Sequence, residues 1–141
     1  MRILAIDYGT KRIGLAVSDP LGISAQGLKT LPHPSSQEEL LKKLEEIVKH
    51  QEASKIILGF PLNMNGTKGP QAFLVEALAE KLRQTLAVPV ELWDERLSTA
   101  SVERHFRQWR LSAVKRKKLV DRLSAQLILQ DYLDSQKGKV S

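Results

Sequence analysis

The stretch that decides the fold is RILAIDYGTKRIGLAVS, residues 2–18. It holds two short apolar runs, residues 2–7 and 12–18, with Gly9 in the segment between them. Apolar runs separated by a few turn-forming residues are typical of a β-hairpin. The stretch therefore predicts two antiparallel strands, and it places Asp7 at the end of the first strand, where open α/β sheets bind their ligands.

Outward from this hairpin, the pattern predicts a third, weaker strand and then an alternation of helices and strands. Ser35 and Ser36 stand at capping-box distance from Glu38 and Glu39. Pro70 suits the start of a second helix, for which the pattern predicts a buried face of Leu74, Leu78, Leu82 and Leu86. The predicted elements are strands over residues 23–31, 55–59 and 88–93, helices over 36–51 and from 70, and a helical C-terminal part that is strongest over 119–133.

These elements predict an α/β fold with one mixed five-stranded sheet. Three strands form an antiparallel meander, the later strands are parallel, and helices cover both faces. With 141 residues the chain has the length of one domain. We expect this domain to occupy residues 1–137, followed by a short C-terminal tail, 138–141.

Composition excludes several classes of protein. Hydrophobic residues make up 42% and charged residues 27% of the chain, which are ordinary values for a globular protein. Cysteine is absent, so a disulfide scaffold, a cysteine zinc site and a thiol nucleophile are excluded. The chain has neither a long apolar run nor the pattern of a signal peptide. We therefore expect a cytoplasmic protein with no membrane partner; the sequence does not indicate an oligomeric state.

The net charge of +6 comes from one stretch. Residues 96–122 contain nine basic and two acidic residues, whereas the rest of the chain is close to neutral. Clustered basic residues suit a polyanion such as nucleic acid or an anionic membrane surface, although a solvated helical face would look the same. The candidate nucleic-acid-binding residues are Lys11, Arg96, Arg104, Arg107, Arg110, Lys115, Arg116, Lys117 and Lys118.

Acidic residues at three places in the chain are candidates for chemistry. Asp7 ends the first strand, Asp94 and Glu95 end the last strand, and Asp121 lies early in the C-terminal helix on the side of Ala125. Each also has a structural explanation, as a turn residue, a helix-start acid or an ion-pair partner. Together they form an all-oxygen set that suits Mg²⁺ or Mn²⁺, and such ions hydrolyse phosphodiesters. Beside a basic stretch, this set predicts a nuclease.

Four stretches of the chain resemble the bacterial YqgF family. They are IDYGTKRIGLA at 6–16, GFPLN at 59–63 with Gly66 and Thr67, DERLST at 94–99, and Asp121 followed by Ser124-Ala125 and ILQDYL at 128–133. The resemblance covers nearly the whole chain in the right order, and DERLST is highly specific. One departure is Ser124, where the family pattern commonly has alanine.

The resemblance implies a ribonuclease-H-like fold and a nuclease that acts in 5′-end maturation of the small-subunit ribosomal RNA precursor. It also implies that Asp7, Glu95 and Asp121 are the catalytic residues and the ligands of Mg²⁺ or Mn²⁺. Between Asp94 and Glu95 we choose Glu95, with Asp94 as its neighbour.

Three other functions compete with this prediction. A structure-specific DNA nuclease acting on Holliday junctions would share the same site and differ only in substrate. An actin-like or sugar-kinase-like ATPase has a similar first loop, but it needs a second such domain, which this chain lacks. A nucleic-acid-binding module without activity would not need the acidic set.

Overall fold

The structure is a computed structural model and describes residues 2–96 and 112–137, with the backbone alone over 113–122. The strands are β1 (Arg2–Tyr8), β2 (Arg12–Ser18), β3 (Ala25–Gly27), β4 (Leu31–Pro32), β5 (Ala53–Phe60) and β6 (Val90–Asp94). The helices are α1 (Gln37–Gln51), α2 (Pro70–Thr85) and α3 (Ala113–Gln136).

The strands form one mixed sheet in the order β3-β2-β1-β5-β6, and β4 pairs with β2 beyond the end of β3. The β1–β2 hairpin is antiparallel, as predicted, whereas β1, β5 and β6 are parallel to one another. The carboxyl ends of β1 and β6, at Asp7 and Glu95, therefore lie at the same edge of the sheet.

The strand count differs from the prediction, because the third strand is interrupted. Gly27 pairs with Ala16, and Leu31 pairs with Ile13. Three residues, 28–30, thus lie between the paired positions on this strand, against two residues, 14–15, on β2, which is the signature of a bulge. The extra residue divides the predicted strand over 23–31 into β3 and β4, so the sheet has six strands rather than five.

The two faces of the sheet carry different helices, as predicted. Even-numbered residues of β1 and β5, such as Leu4 and Ile56, point into a large apolar core with α1 and α2. Odd-numbered residues such as Ala5 and Ile57 point to the other face, where α3 packs through Ala125, Ile128, Leu129, Tyr132 and Leu133. The small residues on this second face let α3 approach the sheet closely.

The ends and faces of the helices largely follow the sequence. Ser36 is the N-cap of α1, and its hydroxyl accepts a hydrogen bond of 3.1 Å from the amide of Glu39. The predicted buried face of α2 is wrong for Leu74, which is 55% exposed. The stripe that packs on the sheet is Ala72, Val75, Leu78, Ala79 and Leu82. Leu74 lies about 100° around the helix from the centre of that stripe, given 3.6 residues per turn. In the described part of the chain, no helix has the length and apolarity needed to cross a bilayer.

Candidate active site

Asp7 is held between β2 and α3. It pairs with Gly14 across the β1–β2 ladder, and the Ser124 hydroxyl of α3 donates a hydrogen bond to its Oδ2. A Cβ on Gly14 would lie 3.4 Å from the Cβ atoms of Asp7 and Ala125 and 3.5 Å from Ser124 Oγ. A Cβ at this position of β2 would thus be in ordinary contact with its neighbours, and the helix lies close enough for Ser124 to reach the carboxylate.

Glu95 follows β6 and extends over β5 toward Asp7. Gly59 makes this path available, because a Cβ there would lie only 2.7 Å from Glu95 Oε1 and 2.9 Å from Ile128 Cδ1. The Glu95 carboxyl is largely buried, and it shares a hydrogen bond with Asp7. Burial, then the charge and hydrogen bond of Asp7, and then the charge of Asp94 raise the pKa of Glu95 to about 9.

Asp94, next to Glu95 in the chain, has the opposite environment. The Arg96 guanidinium donates to both of its oxygens, with the shortest contact, from Nη2 to Oδ2, at 2.7 Å. These hydrogen bonds, against a smaller effect of burial, hold the pKa of Asp94 below its ordinary value. Adjacent carboxyl groups with oppositely shifted pKa values are frequent where one of them acts in chemistry. The structure thus brings Glu95 to Asp7, and it pairs Asp94 with Arg96.

Arg96 also connects the site to the segment between β5 and α2. Its Nη1 donates to the Met64 carbonyl at 3.2 Å. Arg96 is among the residues predicted to bind nucleic acid; in the structure its guanidinium faces Asp94 and its side chain joins β6 to this segment. We refer to residues 61–74, the β5–α2 loop and the first turn of α2, as the rim.

The structure leaves several predicted site residues untested. Lys11 is exposed in the β1–β2 turn, close in sequence to Asp7. The side chains of Asp121 and Lys115–Lys118 lie outside the described residues, as do Arg104, Arg107 and Arg110. The backbone at Asp121 is helical, one turn before Ser124 on α3. Among the described side chains, no group of three His, Asp or Glu residues is arranged to hold a metal ion.

The role of Gly59 is not among the predictions from the sequence. Gly59 contributes no functional group, but it provides the space that the Glu95 carboxyl occupies. A glycine at the end of an apolar strand is itself a sign of close approach, and it would have identified this position. The sequence also gives no indication that the rim forms hydrogen bonds with the residues next to Asp7 and Glu95 in the chain.

The chain matches known proteins over almost its full length. The family profile of RuvX, described as Holliday junction resolvase, matches residues 1–135. A protein of Geobacillus kaustophilus named "Putative pre-16S rRNA nuclease" is 46% identical over 138 residues, which is 97% of this chain and 100% of the relative. A protein of the same name from Caldanaerobacter subterraneus is 48% identical over 139 residues, covering 98% of this chain and 99% of the relative.

Solved structures support the fold. The RuvC structure of Thermus thermophilus superposes with a TM-score of 0.58 at 14% identity, covering 98% of this chain and 97% of that one. The same protein in complex with a Holliday junction gives a TM-score of 0.56. At this identity the similarity concerns the fold alone, and it confirms the predicted ribonuclease-H-like architecture. The full-length profile match and the close relatives are decisive for the family: the chain belongs to the RuvX family, which is the YqgF family that its motifs resemble.

Proposed function

We propose that this protein is a divalent-metal-dependent nuclease that hydrolyses phosphodiester bonds during 5′-end maturation of the pre-16S ribosomal RNA. The observation that carries the proposal is the contact between Asp7 and Glu95 at the carboxyl edge of the sheet. Two carboxyl groups are brought together there with a pKa of about 9 for Glu95, at a cost in electrostatic energy that a structural role does not require. The names of the close relatives support the nuclease activity and its RNA substrate.

The donor set fits a hard divalent cation. Carboxylate oxygens are the ligands that Mg²⁺ and Mn²⁺ prefer, and a cation between Asp7 and Glu95 would remove their mutual repulsion. We assign Asp7, Glu95 and Asp121 as the residues that hold the metal, with Asp121 resting on the family resemblance. When bound, the metal supplies an activated water and stabilises the charge that develops on the phosphate.

The residues of the chain then have distinct tasks. Ser124 orients the Asp7 carboxylate, since an outer hydrogen bond restricts the rotation of a ligand. Gly59 keeps the floor of the site free of a side chain, so that Glu95 can approach Asp7. Lys11 and the basic stretch over 96–122 are proposed to bind the phosphates, with Arg96 excepted because it holds Asp94.

A structure-specific DNA nuclease is the second candidate. The RuvX profile carries the description Holliday junction resolvase, and the RuvC fold holds such a junction in a solved complex. The same acidic residues would cut either substrate, because the chemistry of a phosphodiester is the same in RNA and DNA. Substrate choice must therefore be decided by experiment.

A cleavage assay on two substrates tests the proposal. The protein is incubated with a pre-16S RNA fragment spanning the mature 5′ end and, in parallel, with a four-way DNA junction. Mg²⁺ is present in one arm and EDTA in the other. We expect Mg²⁺-dependent cleavage of the RNA, lost in Glu95→Gln and retained in the control Glu91→Gln, whose carboxylate lies on the same strand but pairs with Lys55. Cleavage of the junction alone would favour the second candidate. Cleavage in EDTA, or in Glu95→Gln, would contradict both.

A further inference from the structure

The ladder between β1 and β5 stops before the two strands end. Their last paired residues are Ile6 and Leu58. Beyond this point β1 continues to Tyr8 in its pairing with β2, and β5 continues to Phe60 in its pairing with β6. The sheet therefore opens between β1 and β5 at the edge that carries the two acids, and the backbone groups beyond the last pair need other partners.

The Tyr8 carbonyl is a group that this ladder cannot satisfy. The Gly9 amide donates to the Arg12 carbonyl across the hairpin, so the neighbouring Tyr8 directs its backbone groups to the other side, toward β5. Continuing the register by two residues would place Tyr8 opposite Phe60, and the donor to its carbonyl would then be Pro61. Because proline has no backbone N–H, the end of β1 receives no donor from β5 at this position.

Gln71, in the first turn of α2, supplies the donor. Its Nε2 lies 2.5 Å from the Tyr8 carbonyl, in partly buried surroundings. A carbonyl oxygen only accepts hydrogen bonds, so it is the amide nitrogen of Gln71 that faces it. The carbonyl of Asp7 itself accepts from the Gly9 amide at 3.0 Å. Gln71 thereby ties α2 to the residue that follows Asp7 on β1.

A second side chain holds the same turn from outside. His33 Nε2 lies 2.6 Å from the Gly9 carbonyl, and its ring lies edge-on to that of Tyr8 with the ring centres 5.1 Å apart. His33 is exposed, whereas the hydrogen bond of Gln71 is partly buried, so water replaces the histidine more easily than the glutamine. Gln71 is therefore the stronger of the two attachments.

We infer that Gln71 is a positioning residue for Asp7. Its side-chain amide takes the place of the N–H that Pro61 lacks, and it fixes the peptide groups that follow Asp7 at the end of β1. Removing a group that orients a metal ligand typically lowers metal affinity or activity by about 10- to 100-fold. This inference deepens the proposed function and rests on it for the role of Asp7 as a metal ligand.

Amide hydrogen exchange tests the attachment without metal or substrate. The variant Gln71→Met keeps the length of the side chain and removes the donor. We expect exchange at Tyr8 and Gly9 to become about tenfold faster, which corresponds to one hydrogen bond in the opening equilibrium, while the amides of β5 and β6 change less than about twofold. Gln84→Met is the matched control, since Gln84 is exposed near the other end of the same helix.

Metal binding and RNA binding separate positioning from a loss of stability. The melting temperature is recorded against Mg²⁺ concentration without RNA, and the affinity for the pre-16S RNA fragment is measured by fluorescence anisotropy in EDTA. We expect Gln71→Met to need about 10- to 100-fold more Mg²⁺ for the same rise in melting temperature. Its RNA affinity should stay within about twofold of the wild type, because cationic side chains dominate affinity for a polyanion and this change leaves them intact.

The inference is overturned if exchange at Tyr8 and Gly9 is unchanged in Gln71→Met, or if Gln84→Met changes it equally. Faster exchange over the whole sheet would make Gln71 a stabilising residue only. An unchanged Mg²⁺ requirement beside faster local exchange would show that Asp7 does not depend on Gln71. The proposed function fails in a different way. If the wild type shows neither a Mg²⁺-dependent rise in melting temperature nor cleavage of RNA or junction DNA, the nuclease assignment falls, and exchange at Tyr8 and Gly9 alone decides whether Gln71 holds the end of β1.

Discussion

Two polar clusters lie on the same face of the sheet, both beneath α3, and they are built in opposite ways. At the start of β5, the Lys55 ammonium lies 2.7 Å from Glu91 and donates to the Tyr132 hydroxyl at 2.8 Å. At the other end, Asp7 meets Glu95. The first cluster combines opposite charges, whereas the second combines like charges.

The pKa shifts express this difference. Burial disfavours the charged form of Lys55, but hydrogen bonds to Glu91 and Tyr132 outweigh it and raise the pKa of the amine. For Glu95, burial and Asp7 act in the same direction and raise the pKa of an acid, which means that its charged form is destabilised. The charges of the lysine cluster are thus balanced within the protein, whereas those of the acidic cluster are not, and the proposed function assigns a cation to the acidic cluster. The sign of the partner charge thus decides whether the charged form of a group on this face of the sheet is stabilised or destabilised.

The largest expected effect is the loss of cleavage in Asp7→Asn. The amide keeps the shape of the side chain and removes the charge that a divalent ion requires. Since metal catalysis contributes several kcal/mol to the transition state, we expect a decrease in cleavage rate of about 10²- to 10⁴-fold. Anisotropy in EDTA should show nucleic-acid binding within about twofold of the wild type. Without metal, the melting temperature at neutral pH should stay close to that of the wild type, because Glu95 with a pKa of about 9 is protonated there and no repulsion is removed, and it should exceed that of the wild type only toward pH 9. A marked fall at neutral pH would show that Asp7 is structural.

The acidic cluster should also make folding pH-dependent. Because the pKa of Glu95 is about 9 in the folded protein and ordinary in the unfolded chain, folding takes up a proton between these values. Stability without metal therefore falls as pH rises. Relative to the wild type, Glu95→Gln should gain up to about 1.4 kcal/mol of stability per pH unit between about pH 5 and 8. Denaturant unfolding in EDTA measures this difference, and a difference independent of pH would contradict the burial of Glu95 beside Asp7.

A smaller effect is expected from filling the space under Glu95. Gly59→Ala places a Cβ within 2.7 Å of Glu95 Oε1 and 2.9 Å of Ile128 Cδ1, so one of them must move. We expect a loss of about 1–3 kcal/mol, which is typical of overpacking, together with reduced cleavage. Gly14→Ala is the matched control, because its Cβ would meet neighbours at 3.4–3.5 Å. Equal effects in the two variants would show that Gly59 has no special role.

The sequence predicted much of this architecture because its signals are local. The apolar runs around Gly9 specify the β1–β2 hairpin, and Ser36 followed by Glu39 specifies the start of α1. The bulge between Gly27 and Leu31 depends on how two strands align across the sheet, and a single strand carries no signal for it. The prediction that Leu74 is buried was wrong for a similar reason. The apolar pattern fits two neighbouring stripes of α2, and packing against the sheet selects one of them.

The proximity of the two acids was predictable from the sequence, whereas their role in catalysis stays a prediction. The prediction that Asp7 and Glu95 lie together follows from two strand ends that meet at one edge of the sheet. The contact between the two side chains is present in the structure. The choice between Asp94 and Glu95 depends on Arg96, whose side chain turns back onto Asp94 through a geometry that spacing does not encode. The Ser124 contact needs the close approach of α3 to Gly14, which is a property of the packed fold. Asp121 and the basic residues of the same helix remain predictions.

The smallest effect should come from the lysine cluster, and it sharpens the comparison. Lys55 and Glu91 have side chains that are 30% and 45% exposed, so water replaces much of what the pair loses when it is broken. We expect Lys55→Met to cost about 0.2–1 kcal/mol, as for other exposed pairs, with cleavage unchanged. A raised amine pKa contributes stability at every pH below the ordinary lysine value and loses it only above that value. Between pH 5 and 8 the difference from the wild type should therefore be flat, in contrast to the sloped difference of Glu95→Gln. Denaturant unfolding curves of the two variants, recorded in parallel over this pH range, measure both stability differences. A Lys55→Met difference that varies with pH, or a change of cleavage in this variant, would mean that the two clusters are coupled through α3.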